Sequence, residues 1–205
     1  MSARRRVGVL ISGRGSNMKS LIDAAKAKDY PAEIVLVIGN RADAGGLAIA
    51  KDAGIPARMI AHRDFPSRAA FDAALDKTLK EARVELVCLA GFMRLLTPEF
   101  VEAWRDRMLN IHPSLLPEFP GLDTHARAIA AGKRVAGCTV HFVRAEMDTG
   151  PVIAQAEVPI EPGDTPDTLA ARVLKAEHRL YPMALKLVAE GRVRVAGDKV
   201  EIADA

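Results

Sequence analysis

Asn110 and His112 stand two residues apart in the run Asn110-Ile111-His112-Pro113-Ser114-Leu115-Leu116-Pro117. The segment leading into it, Met108 to Ile111, is apolar and has the length of a short buried strand, which Pro113 would end. Alternate residues of a strand share a face, so the amide and the imidazole point the same way from its carboxyl end. In an open α/β sheet that end is where ligands sit. An amide N–H can stabilise an oxyanion and an imidazole can exchange a proton near neutral pH, a pair suited to acyl-type transfer. The competing account is structural, a capping Asn beside a hydrogen-bonded core His.

A second candidate lies near the N-terminus. The apolar run Val7 to Ile11 breaks at Ser12-Gly13-Arg14-Gly15-Ser16-Asn17 and passes into a helical pattern from Met18 to Ala25. Glycines admit close backbone approach, Ser16 or Asn17 is expected to cap the helix, and its free N–H groups favour an anion such as phosphate. The dinucleotide fingerprint would place glycine where this chain has Met18, and an acidic residue where it has Gly39-Asn40-Arg41. A mononucleotide or sugar phosphate therefore fits better than NAD, with a plain tight βα turn as the alternative.

The elements that must position these residues follow from the apolar pattern. Strands are expected at Glu33 to Ile38, Ala57 to Ile60 and Val84 to Ala90, with helices at Asp43 to Ala53 (closed by Gly54), Pro66 to Ala82 and Pro98 to Arg105. Such alternation builds parallel βαβ units with right-handed crossovers. Phe71, Leu75 and Leu79 are expected to face the core. Phe92-Met93-Arg94-Leu95-Leu96 follows the carboxyl end of the Val84 to Ala90 strand, where a flat ligand can lie against backbone. After Pro117 a rigid turn feeds a helix from Thr124 to Ala131, whose His125 either assists the site or caps the helix. Gly137 to Val143 and Val152 to Pro159 are strands with no helix between them, hence an antiparallel pair at one sheet edge. The loop between them ends in Asp148-Thr149-Gly150-Pro151, a turn on composition alone. Thr165 to Glu190 is the longest helical pattern, with Pro182 expected to interrupt it, and Val193 to Val195 with Lys199 to Ile202 form a terminal hairpin. The expected fold class is α/β: a Rossmann-like open twisted sheet, mostly parallel with an antiparallel C-terminal edge, and helices on both faces.

Composition narrows the function classes. At 205 residues the chain reads as a single domain, with 49% hydrophobic and 27% charged residues and no apolar stretch long enough to span a membrane. The net charge of +3 is mild, and Arg4-Arg5-Arg6, expected just ahead of the first strand as solvated residues, accounts for that excess. This argues against nucleic acid as a partner. Cys88 and Cys138 lie in apolar runs without a Cys-x-x-Cys pair, and no secretory leader precedes Val7, so a reducing cytoplasm is expected.

The assembled motifs closely resemble the folate-dependent glycinamide ribonucleotide formyltransferases of purine synthesis. The pieces that carry the likeness are Val9 to Asn17, Leu89 to Arg94, Leu109 to Pro117, Gly121-Leu122 with His125, Val140 to Val143, Asp148 to Ile153, and Glu177-His178 with Tyr181-Pro182, in family order. The resemblance implies passage of the formyl group of 10-formyltetrahydrofolate, a co-substrate, to the amine of glycinamide ribonucleotide, with Asn110, His112 and Asp148 as the catalytic three and no metal. It implies that Gly15, Ser16 and Asn17 clamp the ribonucleotide phosphate and that Met93, Pro113 and Glu177 make its other contacts. Arg68, Arg94, Leu95, Leu96 and the loop Val143, Arg144, Ala145, Glu146, Met147 would hold the folate, the two arginines attracting its glutamate tail. It implies one formyltransferase domain, with the phosphate-binding half at about residues 1–100 and the catalytic, folate-binding half at about 101–205, acting as a monomer or homodimer. Departures are Arg14, Asp123 and Leu174 with Lys175, where family members often carry other residues.

Two other readings remain. One is another formyltetrahydrofolate-using enzyme, a methionyl-tRNA formyltransferase or a formyltetrahydrofolate hydrolase, both expected to need an extra domain. The other is a non-catalytic nucleotide or NADP-binding module with Arg41 recognising a phosphate, which has no need of Asn110, His112 and Asp148 together.

Overall fold

The structure of the protein, a computed structural model, describes residues 3–203 and is built on a seven-stranded sheet. Its strands are β1 (Arg5–Ile11), β2 (Ala32–Gly39), β3 (Ala57–Met59), β4 (Leu86–Leu89), β5 (Met108–His112), β6 (Val135–Phe142) and β7 (Val152–Pro159), in the order β3-β2-β1-β4-β5-β6-β7. Strands β1 to β5 pair in parallel, while β6 and β7 add as an antiparallel edge. The Rossmann-like class read from the sequence is the one observed. The chain runs outward from β1 to β3 on one side and from β4 onward on the other, so the crevice at the carboxyl ends of β1 and β4 is the topological switch point.

Alternating side chains of this sheet divide into two cores. Val7, Val9 and Ile11 of β1 and Leu109 and Ile111 of β5 pack with α1 (Ser16–Ala25), α2 (Gly46–Asp52) and α6 (Pro166–Ala189), with α5 (Thr124–Ala130) on the same side. Leu10, Val87, Leu89 and Met108 point the other way, onto Phe71, Leu75 and Leu79 of α3 (Arg68–Glu81) and Phe100 and Val101 of α4 (Pro98–Ala103). Each such fully buried side chain contributes roughly 1.5–3 kcal/mol, so the sheet's position between these layers is strongly determined. The small hairpin β8 (Val193–Ala196) with β9 (Lys199–Ile202) forms as expected. No helix among the described residues is long and apolar enough to cross a membrane.

Three local expectations are corrected. Arg5 and Arg6 belong to β1 and do not precede it, and the triplet, though the Arg5 and Arg6 side chains stay 50% and 39% exposed, is tied down: Arg4 bonds the carbonyls of Ala25 and Ala32, Arg5 pairs with Glu85, and Arg6 donates to the Ala82 carbonyl. These guanidiniums tie β1 to its neighbours, where fixed acceptors compete successfully with water. Pro182 does not interrupt α6, which runs unbroken through it for 24 residues; the helix is held on both sides of the proline by buried Leu180, Tyr181, Ala184 and Leu185. Neither Ser16 nor Asn17 caps α1. Gly15 takes the N-cap position at φ +76°, with its Cα against Gly46, so a side chain there would be both strained and blocked.

Candidate active site

Strand β5 ends at His112, and its register with β6 decides the site's geometry. Asn110 and His112 share the face of Met108, beyond the cover of α4, and open into a cleft of about 670 Å³ at the strand ends. Across the antiparallel pair Asn110 stands opposite His141, and His112 opposite Thr139. The chain then turns at Pro113 and returns over His112: Nε2 of His112 donates to the Phe119 carbonyl at 3.0 Å, and the Ser114 hydroxyl bonds the Glu118 carbonyl at 2.6 Å. Within this turn the Leu116–Pro117 peptide is cis.

Asp148 reaches the same point from the loop between β6 and β7. Its Oδ2 lies 3.5 Å from Nδ1 of His112 and accepts the Gly121 N–H at 2.8 Å, while Oδ1 is 4.0 Å from Nε2 of His141. Asp148 sits at φ +57°, a left-handed conformation Asp tolerates in turns, which points the carboxylate inward. Gly150 behind it packs so closely that a Cβ would meet the Phe142 carbonyl oxygen at 1.6 Å. Each ring nitrogen of His112 therefore faces an oxygen acceptor, and the side chains of His112 and Asp148 are only 7% and 10% exposed.

His141 was not singled out by the sequence, because a histidine inside an alternating strand looks like core. It is 2% exposed; Nδ1 donates to the Phe142 carbonyl at 2.9 Å, which leaves Nε2 as an acceptor for the Asn110 amide N–H at 3.2 Å. Burial pulls its affinity for a proton down. His125, in the first turn of α5, also lines the cleft; its Nδ1 is buried without a partner, and burial first, then the neighbouring His112, lowers its pKa.

The far end of the cleft is built by α1 and α6. Asn17, in the first turn of α1, donates through Nδ2 to Oε2 of Glu177 at 2.6 Å, and Asn17 Oδ1 is buried with no partner. Glu177 is 7% exposed, and burial raises its carboxyl pKa against the lowering effect of the Asn17 bond. The middle wall is the segment after β4, pinned by Ser12. The Ser12 hydroxyl accepts the Met93 N–H at 2.8 Å and donates to Asn40 Oδ1 at 2.7 Å, and the Ser12 N–H bonds the Gly91 carbonyl at 3.1 Å. This network spans the switch point.

Of the residues expected at the site, Asn17, Met93, Arg94, Leu95, Leu96, Asn110, His112, Pro113, Val143, Arg144, Ala145, Glu146, Met147, Asp148 and Glu177 all border the cleft. Gly15 and Ser16 adjoin it at the start of α1 without lining it, and Arg68 lies outside it, exposed at the start of α3. The Arg94 guanidinium carbon lies over the Phe71 ring, 5.2 Å from its centroid, with Nε buried and unbonded. Met93, Leu95, Leu122 and Met147 are between 54% and 68% exposed and together give the cleft an uncovered apolar wall.

This geometry agrees with what the chain is similar to. The formyl transferase family matches residues 5–185. Over 193 residues the chain is 55% identical to the trifunctional purine biosynthetic protein adenosine-3 of Drosophila pseudoobscura pseudoobscura, covering 93% of this chain and 14% of that protein. It spans only 14% to 19% of the length of the trifunctional relatives it matches. It is 46% identical over 187 residues to the phosphoribosylglycinamide formyltransferase of Escherichia coli, covering 91% of this chain and 88% of that one. The solved structure of glycinamide ribonucleotide transformylase 1 from Symbiobacterium toebii superposes with a TM-score of 0.97 at 48% identity, covering 100% of this chain and 96% of that one. The chain belongs to the formyl transferase family.

Proposed function

We propose that this protein transfers the formyl group of 10-formyltetrahydrofolate to the amine of glycinamide ribonucleotide in de novo purine synthesis. The observation that carries the reading is the convergence of Asn110, His112 and Asp148, from the end of one strand and a loop, in one cleft. The reaction needs a donor for the oxyanion that grows on the formyl oxygen and a proton carrier between the attacking amine and the departing N10. The Asn110 amide supplies the first, a well-aimed donor being worth about 3–4 kcal/mol, and the His112 imidazole joins it when bound substrate draws one of its N–H groups away from the Phe119 or Asp148 oxygen it faces. The Asp148 carboxylate beside His112 supplies the second, worth about 10²–10⁴-fold for a positioned acid or base.

The same reading assigns the two ends of the cleft. The ribonucleotide lies toward Gly15, Ser16 and Asn17, where the N–H groups opening α1 receive the phosphate and Glu177 faces the ribose hydroxyls. The partnerless Oδ1 of Asn17 supports the sugar's place beside it, since a buried acceptor is costly unless a donor such as a ribose hydroxyl satisfies it. The folate lies against Leu95, Leu96, Val143 and Met147, with Arg94 toward its glutamate end, and Arg68 joins only at long range. The chain acts as one formyltransferase domain in the cytoplasm, as a monomer or homodimer, and requires no metal.

The test follows folate absorbance with and without glycinamide ribonucleotide. The proposal expects tetrahydrofolate release that depends on the ribonucleotide. Equal release in its absence would make the protein a hydrolase, and binding of NADPH without folate binding would make it a nucleotide module.

A further inference from the structure

We infer that His141 is a positioning residue which fixes the orientation of the Asn110 amide, so that an N–H and not the carbonyl is presented at the reacting centre. The inference rests on the formyl-transfer reading and adds to it a residue that acts through Asn110. A primary amide is nearly symmetric in shape but not in chemistry: a half-turn about its last bond exchanges donor and acceptor. At an oxyanion site that exchange replaces stabilisation with repulsion, so something must hold Asn110 one way round.

His141 meets the need by its place in the sheet. The β5–β6 register sets it directly opposite Asn110 on the same face, and side chains so paired are in contact range. Its Nδ1 is committed as a donor to the Phe142 carbonyl at 2.9 Å, which fixes the tautomer and leaves a lone pair on Nε2. That lone pair accepts the Asn110 Nδ2–H at 3.2 Å. Turned over, the amide would set its oxygen against the lone pair, an arrangement with no hydrogen bond and two facing negative dipoles. With Nδ2 held at His141, its second N–H is free for a ligand oxygen in the cleft. Burial lowers the imidazole's affinity for a proton, which favours the form that keeps the acceptor. The nearest competitor for Nε2 is Asp148 Oδ1 at 4.0 Å, beyond hydrogen-bond reach and itself only an acceptor when ionised.

Steady-state and single-turnover kinetics of His141→Phe and His141→Gln, each also combined with Asn110→Ala, test this on the whole chain. Phe keeps the bulk without an acceptor, whereas Gln restores an acceptor oxygen. His141→Phe is expected to lower kcat by at least about tenfold with KM for both substrates within about threefold, and His141→Gln to recover most of it. In the Asn110→Ala background His141→Phe is expected to change turnover by less than about twofold, because its effect runs through the missing amide. Equal losses with and without Asn110, or a loss in KM alone, would overturn the inference. So would a Gln variant that folds, judged by its melting transition, yet is as slow as Phe. A wild-type protein that binds folate but transfers no formyl group would instead refute the proposed function, and is distinguished by its own control.

Discussion

One carboxylate oxygen, Oδ2 of Asp148, stands 3.5 Å from Nδ1 of His112 while accepting the Gly121 N–H at 2.8 Å. The hydrogen bond to Gly121 matters as much as the approach to His112. It joins the loop after β6 to the turn after β5, so the groups that exchange protons are held by the two segments that close over the cleft. The Gly121 N–H holds the carboxylate in place, so that it faces the imidazole in a fixed direction.

Replacing Asp148 by Asn keeps an oxygen for Gly121 but removes the charge beside His112. Turnover is expected to fall by about 10²–10⁴-fold with ribonucleotide affinity changed by less than about threefold. Steady-state kinetics with an equilibrium binding titration check this, and a variant of near-normal turnover would remove Asp148 from the chemistry.

Asn17→Ala removes the N–H that Glu177 accepts at 2.6 Å and a buried acceptor that nothing in the protein satisfies. Ribonucleotide binding is expected to weaken by about tenfold, the worth of one hydrogen bond to a charged group, while folate binding is unchanged. Calorimetric titration of each ligand separates the two, and parallel loss of both would indicate a collapsed α1 terminus.

Glu177 gives a pH signature. Burial raises its carboxyl pKa, so the folded state holds that proton more tightly than the unfolded chain. The associated stability is complete below about pH 4.5, the ordinary value, and is lost as pH climbs through the raised folded value; at neutral pH the buried charge is a cost. Glu177→Gln keeps an oxygen for Asn17 without that charge. It is expected to melt above the wild type at about pH 7, with the gap closing toward about pH 4, while binding ribonucleotide more weakly. Thermal melts across that range decide it; a variant less stable at neutral pH would contradict the burial argument.

Ser12→Ala would leave the Met93 N–H and Asn40 Oδ1 without their buried partner. The expected cost is about 1–3 kcal/mol, or a few degrees in Tm per kcal/mol for a chain of this size. Because Ser12 ties the wall after β4 to the end of β1, KM should rise for both substrates with kcat little changed. A stability loss with both KM values intact would restrict Ser12 to the scaffold.

The sheet was legible because its strands are short apolar runs separated by helical periods, and tertiary packing needs nothing else to sort them. Asn110, His112 and Asp148 were legible as types, but their meeting was supplied by the resemblance, since 36 residues and two turns separate His112 from Asp148. His141 escaped because its role comes from the register against β5, which no single strand's pattern contains. The Phe119 carbonyl escaped for a different reason: a backbone acceptor has no residue type. Pro182 misled because buried neighbours on both sides hold α6 straight through it, and Arg4 to Arg6 because the acceptors they meet, Glu85 and the Ala25, Ala32 and Ala82 carbonyls, come from other segments of the chain.

The bare apolar wall of Met93, Leu95, Leu122 and Met147 has a thermal consequence. In the ligand-free protein these side chains are hydrated, and a flat ring system settling on them strips that water away. Association should therefore carry a negative heat-capacity change, its enthalpy growing more favourable with warming, whereas a phosphate sugar docking at the polar end should show far less of it. Calorimetry at three temperatures would distinguish the two halves of the cleft by slope alone.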